Sequence, residues 1–238
     1  MRKKRKPDQL RKIKIERNFI KHAQGSCLIE MGDTKVLCAA NQEKRVPLFL
    51  KGTDSGWIKA EYRMLPASTE NRIPRDRISG RIMEIQRLIG RSLRSVVDLS
   101  YLGETTIHVD CDVIQADGGT RTTSIIGGFI ALVDCLGRLH QDNEINEIPV
   151  KKFLAATSIG LCKGEYLLDL NYNEDSQADV DLNFVMNSDG NFIEVQGTAE
   201  SGDFSQNDLL KSIELARKGI GEIIDFQRNL LKDVLPNL

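Results

Sequence analysis

Ile107-His-Val-Asp-Cys-Asp-Val-Ile-Gln-Ala-Asp-Gly-Gly-Thr-Arg-Thr-Thr-Ser124 decides how the chain is read. Ile107, Val109, Cys111 and Val113 alternate with His108, Asp110 and Asp112, the two-residue period of a strand with one buried face. The alternation stops at Gly118-Gly119, and an apolar pattern follows that predicts a helix over roughly residues 122–139. A strand that breaks at two glycines and enters a helix turns free N–H groups toward the loop. The helix dipole adds partial positive charge there. Thr120 offers a hydroxyl, and Arg121 offers a planar fork of donors suited to phosphate oxygens. Two readings fit these residues alone: an anion site, or an ordinary helix start with a solvated arginine. A Walker loop is excluded, because the Gly-Lys-Ser/Thr ending is absent.

Outward from this stretch, three segments read as hairpins, with turns at Met31-Gly32-Asp33, Lys163-Gly164 and Ser188-Asp189-Gly190. Two further amphipathic helices follow from spacing. Ile82, Ile85, Ile89, Leu93 and Val96 step by three and four, and a C-terminal helix begins near Ser205, with Asp208 completing a capping-box-like pair. Strands followed by a helix, twice over, predict an α+β sandwich with helices packed on sheet faces.

The 238 residues are 40% hydrophobic and 28% charged, with a net charge of −1. Charge is nevertheless sorted along the chain. Residues 1–21 hold ten Lys or Arg against Asp8 and Glu16, whereas residues 164–210 hold eleven acids and no base. One end can meet a polyanion, and the other can gather carboxylates around a cation. Residues 1–9 are expected to form a basic, mobile arm with some RNA affinity. Residues 10–238 are expected to form one domain, with halves at about 10–145 and 146–238. The five cysteines form no CxxC pair, as expected of buried free thiols in a reducing cytoplasmic setting. The apolar run at 125–133 is too short to span a bilayer, and no membrane association is expected.

Two more groups could carry chemistry. Arg81 follows Gly80 in the first turn of a predicted helix, where a cation opposes the dipole unless an anion is near. Asp175 lies in an acidic turn and can fold back toward Asp181, which shares a strand face with Asn183. Convergent carboxylates repel unless a proton or a divalent cation intervenes, and oxygen ligands of this kind suit Mg²⁺. An acidic turn can equally be solvated. His108, Asp110 and Asp112 could together bind a metal or simply form the polar face of a sheet.

The wording of several segments is specific. Arg17-Asn-Phe-Ile-Lys-His-Ala-Gln-Gly-Ser26, Gly32-Asp-Thr-Lys-Val-Leu-Cys38, Gly56-Trp-Ile-Lys-Ala-Glu-Tyr62, Gly80-Arg-Ile-Met-Glu-Ile-Gln-Arg-Leu-Ile89, Asp110-Cys-Asp-Val-Ile-Gln-Ala-Asp-Gly-Gly-Thr-Arg-Thr122 and Glu194-Val-Gln-Gly-Thr-Ala-Glu200 occur in this order. Together they resemble the ribonuclease PH family, from about Leu10 to the C-terminal helix. The resemblance implies two fused βαβ-type halves of the ribosomal protein S5 domain 2-like kind, and a homohexamer built as a trimer of dimers. It implies phosphorolysis: inorganic phosphate and Mg²⁺ used to trim RNA 3′ ends, especially those of tRNA precursors, with release of nucleoside diphosphates. It further implies that Arg81, Gly119, Thr120 and Arg121 hold phosphate. Asp175 and Asp181 match catalytic and metal-binding aspartates, with Asp175 either a metal ligand or a general acid. Arg72, Arg75 and Arg77 lie in a loop that would guide RNA to the site.

Two departures accompany the resemblance. The start reads Arg5-Lys-Pro-Asp-Gln9 where members often have an Arg-x-Asp-Gly-Arg-like stretch, and Ala67 follows Pro66 where many have arginine, with the loop at residues 72–80 also a few residues short. A rival reading is a non-catalytic RNA-binding or scaffold subunit of an exosome-like ring. A third is an unrelated metal-dependent hydrolase, which would work without phosphate.

Overall fold

Strand β5 (Thr106–Gln115) has the predicted alternation: Ile107, Val109, Cys111 and Val113 are buried, while His108, Asp110 and Asp112 stand on the opposite face. It pairs antiparallel with β3 (Thr34–Glu43) and parallel with β4 (Trp57–Met64). The parallel neighbour requires a crossover, and α1 (Gly80–Arg94) supplies it between β4 and β5. With β1 (Ile13–Arg17) and β2 (Gly25–Met31) the first sheet has the order β1-β2-β3-β5-β4. The computed structural model describes residues 2, 5–75 and 79–238.

Helix α2 (Thr120–Gln141) runs through the middle of the molecule, touching β2, β3 and β5 on one side and β6 (Leu154–Cys162) on the other. A helix buried on all sides needs apolar residues all round, and Ile125, Ile126, Phe129, Ile130, Leu132, Val133 and Leu136 supply them. Each such buried side chain stabilises the fold by roughly 1.5–3 kcal/mol. Its 22 residues are long and apolar enough to cross a bilayer, yet almost all are enclosed between the sheets. Close approach to the first sheet depends on Gly127, where a Cβ would lie 2.7 Å from Cys38 Sγ.

The second sheet is antiparallel throughout, in the order β7-β6-β8-β9, with β7 (Glu165–Leu168), β8 (Val180–Asn187) and β9 (Phe192–Ala199). The one-turn helix α3 (Tyr172–Asp175) joins β7 to β8. Helix α4 (Gln206–Leu230) packs mainly on β6; Ser205 caps it in the predicted capping box with Asp208. Among the described residues, two sheets and four α-helices make this the expected α+β fold, with its parallel strand pair in the first half.

The N-terminal segment departs from expectation. Over its described residues it is not a free arm. Arg2 and Arg5 lie against Glu174 and Asp169, and the Leu168 N–H donates to the Pro7 carbonyl at 2.8 Å. Two poorly solvated acids of the second half need cationic partners, and this segment brings them.

Candidate active site

The loop after β5 is held from both halves. The Ala116 N–H donates to the Ser68 carbonyl at 2.8 Å, and Gly118 adopts φ +72. A Cβ on Gly118 would lie 2.6 Å from the Leu170 carbonyl oxygen, so no other residue fits. Arg11 bolts this loop to the second half. Its guanidinium donates to the Asp117 carbonyl at 2.6 Å and to both Asp169 oxygens, at 2.7 and 3.0 Å. Asp169 is buried with φ +56, a left-handed conformation costly for a non-glycine residue and held here by four hydrogen bonds from Arg11 and Arg5 to its carboxylate. Burial pushes its carboxyl up, but the charge and hydrogen bonds of Arg11, with Arg5 beyond, hold it net below the ordinary carboxylate range.

Helix α2 then starts at Thr120 without a side-chain cap on Gly119 and without an acid in its first turn. Its first N–H groups are left to whatever fills the cleft. Thr122 and Thr123 turn their hydroxyls back onto the Gly119 carbonyl, at 2.9 and 2.8 Å. Thr120 does not. Its Oγ1 accepts from the Tyr62 hydroxyl at 2.9 Å, which leaves the threonine proton free to donate outward. Arg121 is aimed by both halves: it donates to Gln196 Oε1 of β9 at 2.8 Å and lies 3.7 Å from Glu84 of α1. Gln196 is itself fixed, donating to Glu84 at 3.3 Å and Glu194 at 3.0 Å.

Arg81 sits in the first turn of α1, which Ser79 caps by accepting from the Ile82 N–H at 3.3 Å. Its charge is felt at both Tyr62 and Asp175. Asp175 ends α3 rather than lying in a plain turn, and it does reach the neighbourhood of Asp181. Burial first, then the charge of Asp175, push the Asp181 carboxyl up to about 6; Arg121 and the Asn183 amide, donating at 3.1 Å, oppose this. Burial also raises Asp175, against the pull of Arg81 and Arg121, with Glu200 adding to the rise.

These residues share one cleft of about 430 Å³, lined by Arg81, Gly119, Thr120, Arg121, Asp175 and Asp181, with Ile73, Pro74 and Ile82 among its apolar wall. It opens into a second space of about 810 Å³ that runs past Gln196 and Glu200. Among the described residues no group of three or more His, Cys, Asp or Glu converges as a metal cage. His108, Asp110 and Asp112 do not join the site; His108 instead bonds to Glu43 at 2.8 Å on the open face of the first sheet. Arg75 lines the cleft, Arg72 is exposed outside its lining, and Arg77 lies outside the described residues.

Sequence reasoning missed Arg11, Asp169, Tyr62, Glu84, Gln196 and Glu200. None carries a local signal, because each acts through partners brought by the fold. The resembling segments did contain Tyr62, Glu84, Gln196 and Glu200, without indicating their roles.

Comparison with known proteins agrees with this architecture. Residues 9–136 match domain 1 of the 3′ exoribonuclease family, and residues 152–219 match its domain 2. Among solved structures, a chain of the Archaeoglobus fulgidus exosome with RNA bound to the active site superposes with a TM-score of 0.81 at 21% identity. The match covers 93% of this chain and 90% of that one. Rice (Oryza sativa) Rrp46 gives 0.75 at 25% identity, covering 95% and 98%. An archaeal exosome core gives 0.75 at 21% identity, covering 96% and 89%.

Proposed function

Because the chain belongs to the 3′ exoribonuclease family, we propose that its cleft carries out phosphorolysis, shortening RNA from the 3′ end with inorganic phosphate as the nucleophile. One observation carries the reading: an uncapped helix N-terminus with two arginines faces two raised carboxylates across a single cleft. The first-turn N–H groups of α2, the Thr120 hydroxyl, Arg81 and Arg121 bind phosphate and strip it of water. They aim it at the last phosphodiester. Attack joins phosphate to the terminal nucleotide and releases a nucleoside 5′-diphosphate. No covalent enzyme intermediate is required.

Asp175 and Asp181 are the residues that would hold a divalent cation. Two raised carboxylates, with no third His, Cys, Asp or Glu converging on them among the described residues, fit Mg²⁺, which keeps several waters and also takes substrate oxygens. When bound, Mg²⁺ offsets negative charge on the scissile phosphoryl group or the leaving 3′-oxygen. Asp175 either shares that role with Asp181 or gives a proton to the leaving oxygen. The substrates proposed are RNA 3′ ends, tRNA precursors among them, and the assembly proposed is a homohexamer.

A scaffold subunit of an exosome-like ring is the alternative, and the likeness to exosome chains supports it equally. The convergence of both charge groups in this cleft is what favours an active enzyme. Incubating the protein with 3′-tailed RNA and Mg²⁺, with and without phosphate, tests the choice. Shortening only with phosphate supports the proposal; no shortening in either buffer supports the scaffold.

A further inference from the structure

We propose that Arg2 and Arg5 are positioning residues for Asp175: they clamp Glu174 and so hold the one-turn helix that presents Asp175 to the cleft. The inference rests on the reading of Asp175 given above. A four-residue helix cannot hold itself. The ladder bonds of α3 and the turn that follows are few, among them Asp175 N–H to Asn171 and Ser176 N–H to Tyr172, both at 2.9 Å. Its capping box adds Glu174 Oε2, accepting from the Asn171 N–H at 3.0 Å.

The helix divides two cavities. Tyr172 and Asp175 line the cleft. Asn171, Asn173 and Glu174 instead line a separate cavity of about 480 Å³, together with Arg2, Arg5 and Arg11. On that second side Arg2 forks onto both Glu174 oxygens, at 2.6 and 2.8 Å, with side chains only 5% and 10% exposed. Arg5 spans Glu174 at 3.0 Å and Asp169 at 3.3 Å. The same two guanidinium groups donate to the Leu168 and Asp169 carbonyls, each at 2.8 Å. The end of β7, Asp169 and α3 are thereby tied into one block. Through Arg11 the block is joined to Asp117, at the start of the phosphate loop.

Neighbouring side chains on a helix point about 100° apart. Any rotation of α3 that releases Glu174 therefore swings Asp175 away from Asp181. Arg2 and Arg5 direct their donors onto acids and carbonyls of the protein itself, which distinguishes them from an arm that seeks RNA phosphates.

Glu174→Gln separates the clamp from the cap, since a glutamine can still accept at the capping position but carries no charge. A chain lacking residues 2–5 removes the clamp from the other side. Each variant is examined by hydrogen exchange at the Asp175 and Ser176 amides and by kcat and KM for RNA. In both, exchange at these amides should speed by about tenfold or more while the α2 core is unaffected. kcat should fall by roughly tenfold or more, with KM for RNA within about twofold of wild type. Combining the two changes should add little to either alone. Unchanged exchange with a raised KM for RNA would overturn the proposal and make the segment an RNA contact. A lowered Tm with normal exchange and normal kcat well below it would also overturn it. If wild-type protein does not consume phosphate, the proposed function has failed, and the exchange data alone still decide the clamp.

Discussion

The Tyr62 hydroxyl donates to Thr120 Oγ1 across 2.9 Å, tying a strand of the first sheet to the first residue of α2. This bond holds the threonine in one rotamer, with its own proton directed away from the tyrosine. Tyr62→Phe should leave the fold intact and raise the apparent KM for phosphate by roughly 2- to 10-fold, the usual worth of one neutral hydrogen bond. A phosphate titration at saturating RNA measures it. An unchanged KM would remove Thr120 from the phosphate site.

Arg121 should matter more, because it is both charged and aimed by Gln196 and Glu84. Arg121→Ala should slow turnover by roughly 10²-fold or more and raise the phosphate requirement. Arg121→Lys should rescue poorly, since an ammonium cannot reproduce a planar two-donor fork. Affinity for RNA, measured without phosphate, should change little. Near-normal kinetics in both variants would return Arg121 to the role of a helix-end arginine.

The carboxylates give a prediction with opposite signs for activity and stability. Asp181→Asn should abolish turnover, and Asp175→Asn should impair it severely. Yet removing the Asp181 charge relieves a buried, repelled anion, so without divalent metal Asp181→Asn should have a Tm no lower than wild type at pH 8. Added Mg²⁺ should raise the wild-type Tm and not that of Asp181→Asn. An active Asp181→Asn variant at saturating Mg²⁺ would overturn the assignment.

Asp169 behaves in the reverse sense. Its folded-state carboxyl is held below the ordinary range, so its stabilisation is complete above the unfolded-state value of about 4 and is lost as pH falls through the folded-state value. Asp169→Asn should therefore destabilise the protein at pH 7 by on the order of 3–5 kcal/mol, because Arg11 is left buried without its partner. The gap between variant and wild type should narrow only below about pH 4. Thermal melts across pH measure it. A gap that is constant down to pH 2.5 would contradict the ion-pair account.

The helices were legible because their information is local. Spacing located α1, α2 and α4 within a few residues, and Ser205 with Asp208 marked the start of α4 in sequence and structure alike. The period of two gave β5 and its buried face. What remained hidden is long-range. The parallel pairing of β4 with β5 depends on where α1 packs, and Arg11 meets Asp169 only after 157 intervening residues are folded. Arg2 and Arg5 read as an arm because a run of bases has no local partner; their acids lie in the other half. In the site, Thr120, Arg121, Asp175 and Asp181 could be proposed from their motifs. The residues that aim them could not, since Gln196 and Tyr62 act through contacts that no spacing announces.

Phosphate, not water, is the proposed nucleophile that attacks the RNA in this cleft. The direct measurement is to supply ³²P-labelled inorganic phosphate with Mg²⁺ and unlabelled 3′-tailed RNA, and to identify the labelled products. Nucleoside diphosphates carrying the label in the β-phosphate are expected with the wild-type protein and none with Asp181→Asn. RNA shortened to unlabelled nucleoside monophosphates, at a rate independent of phosphate, would contradict phosphorolysis.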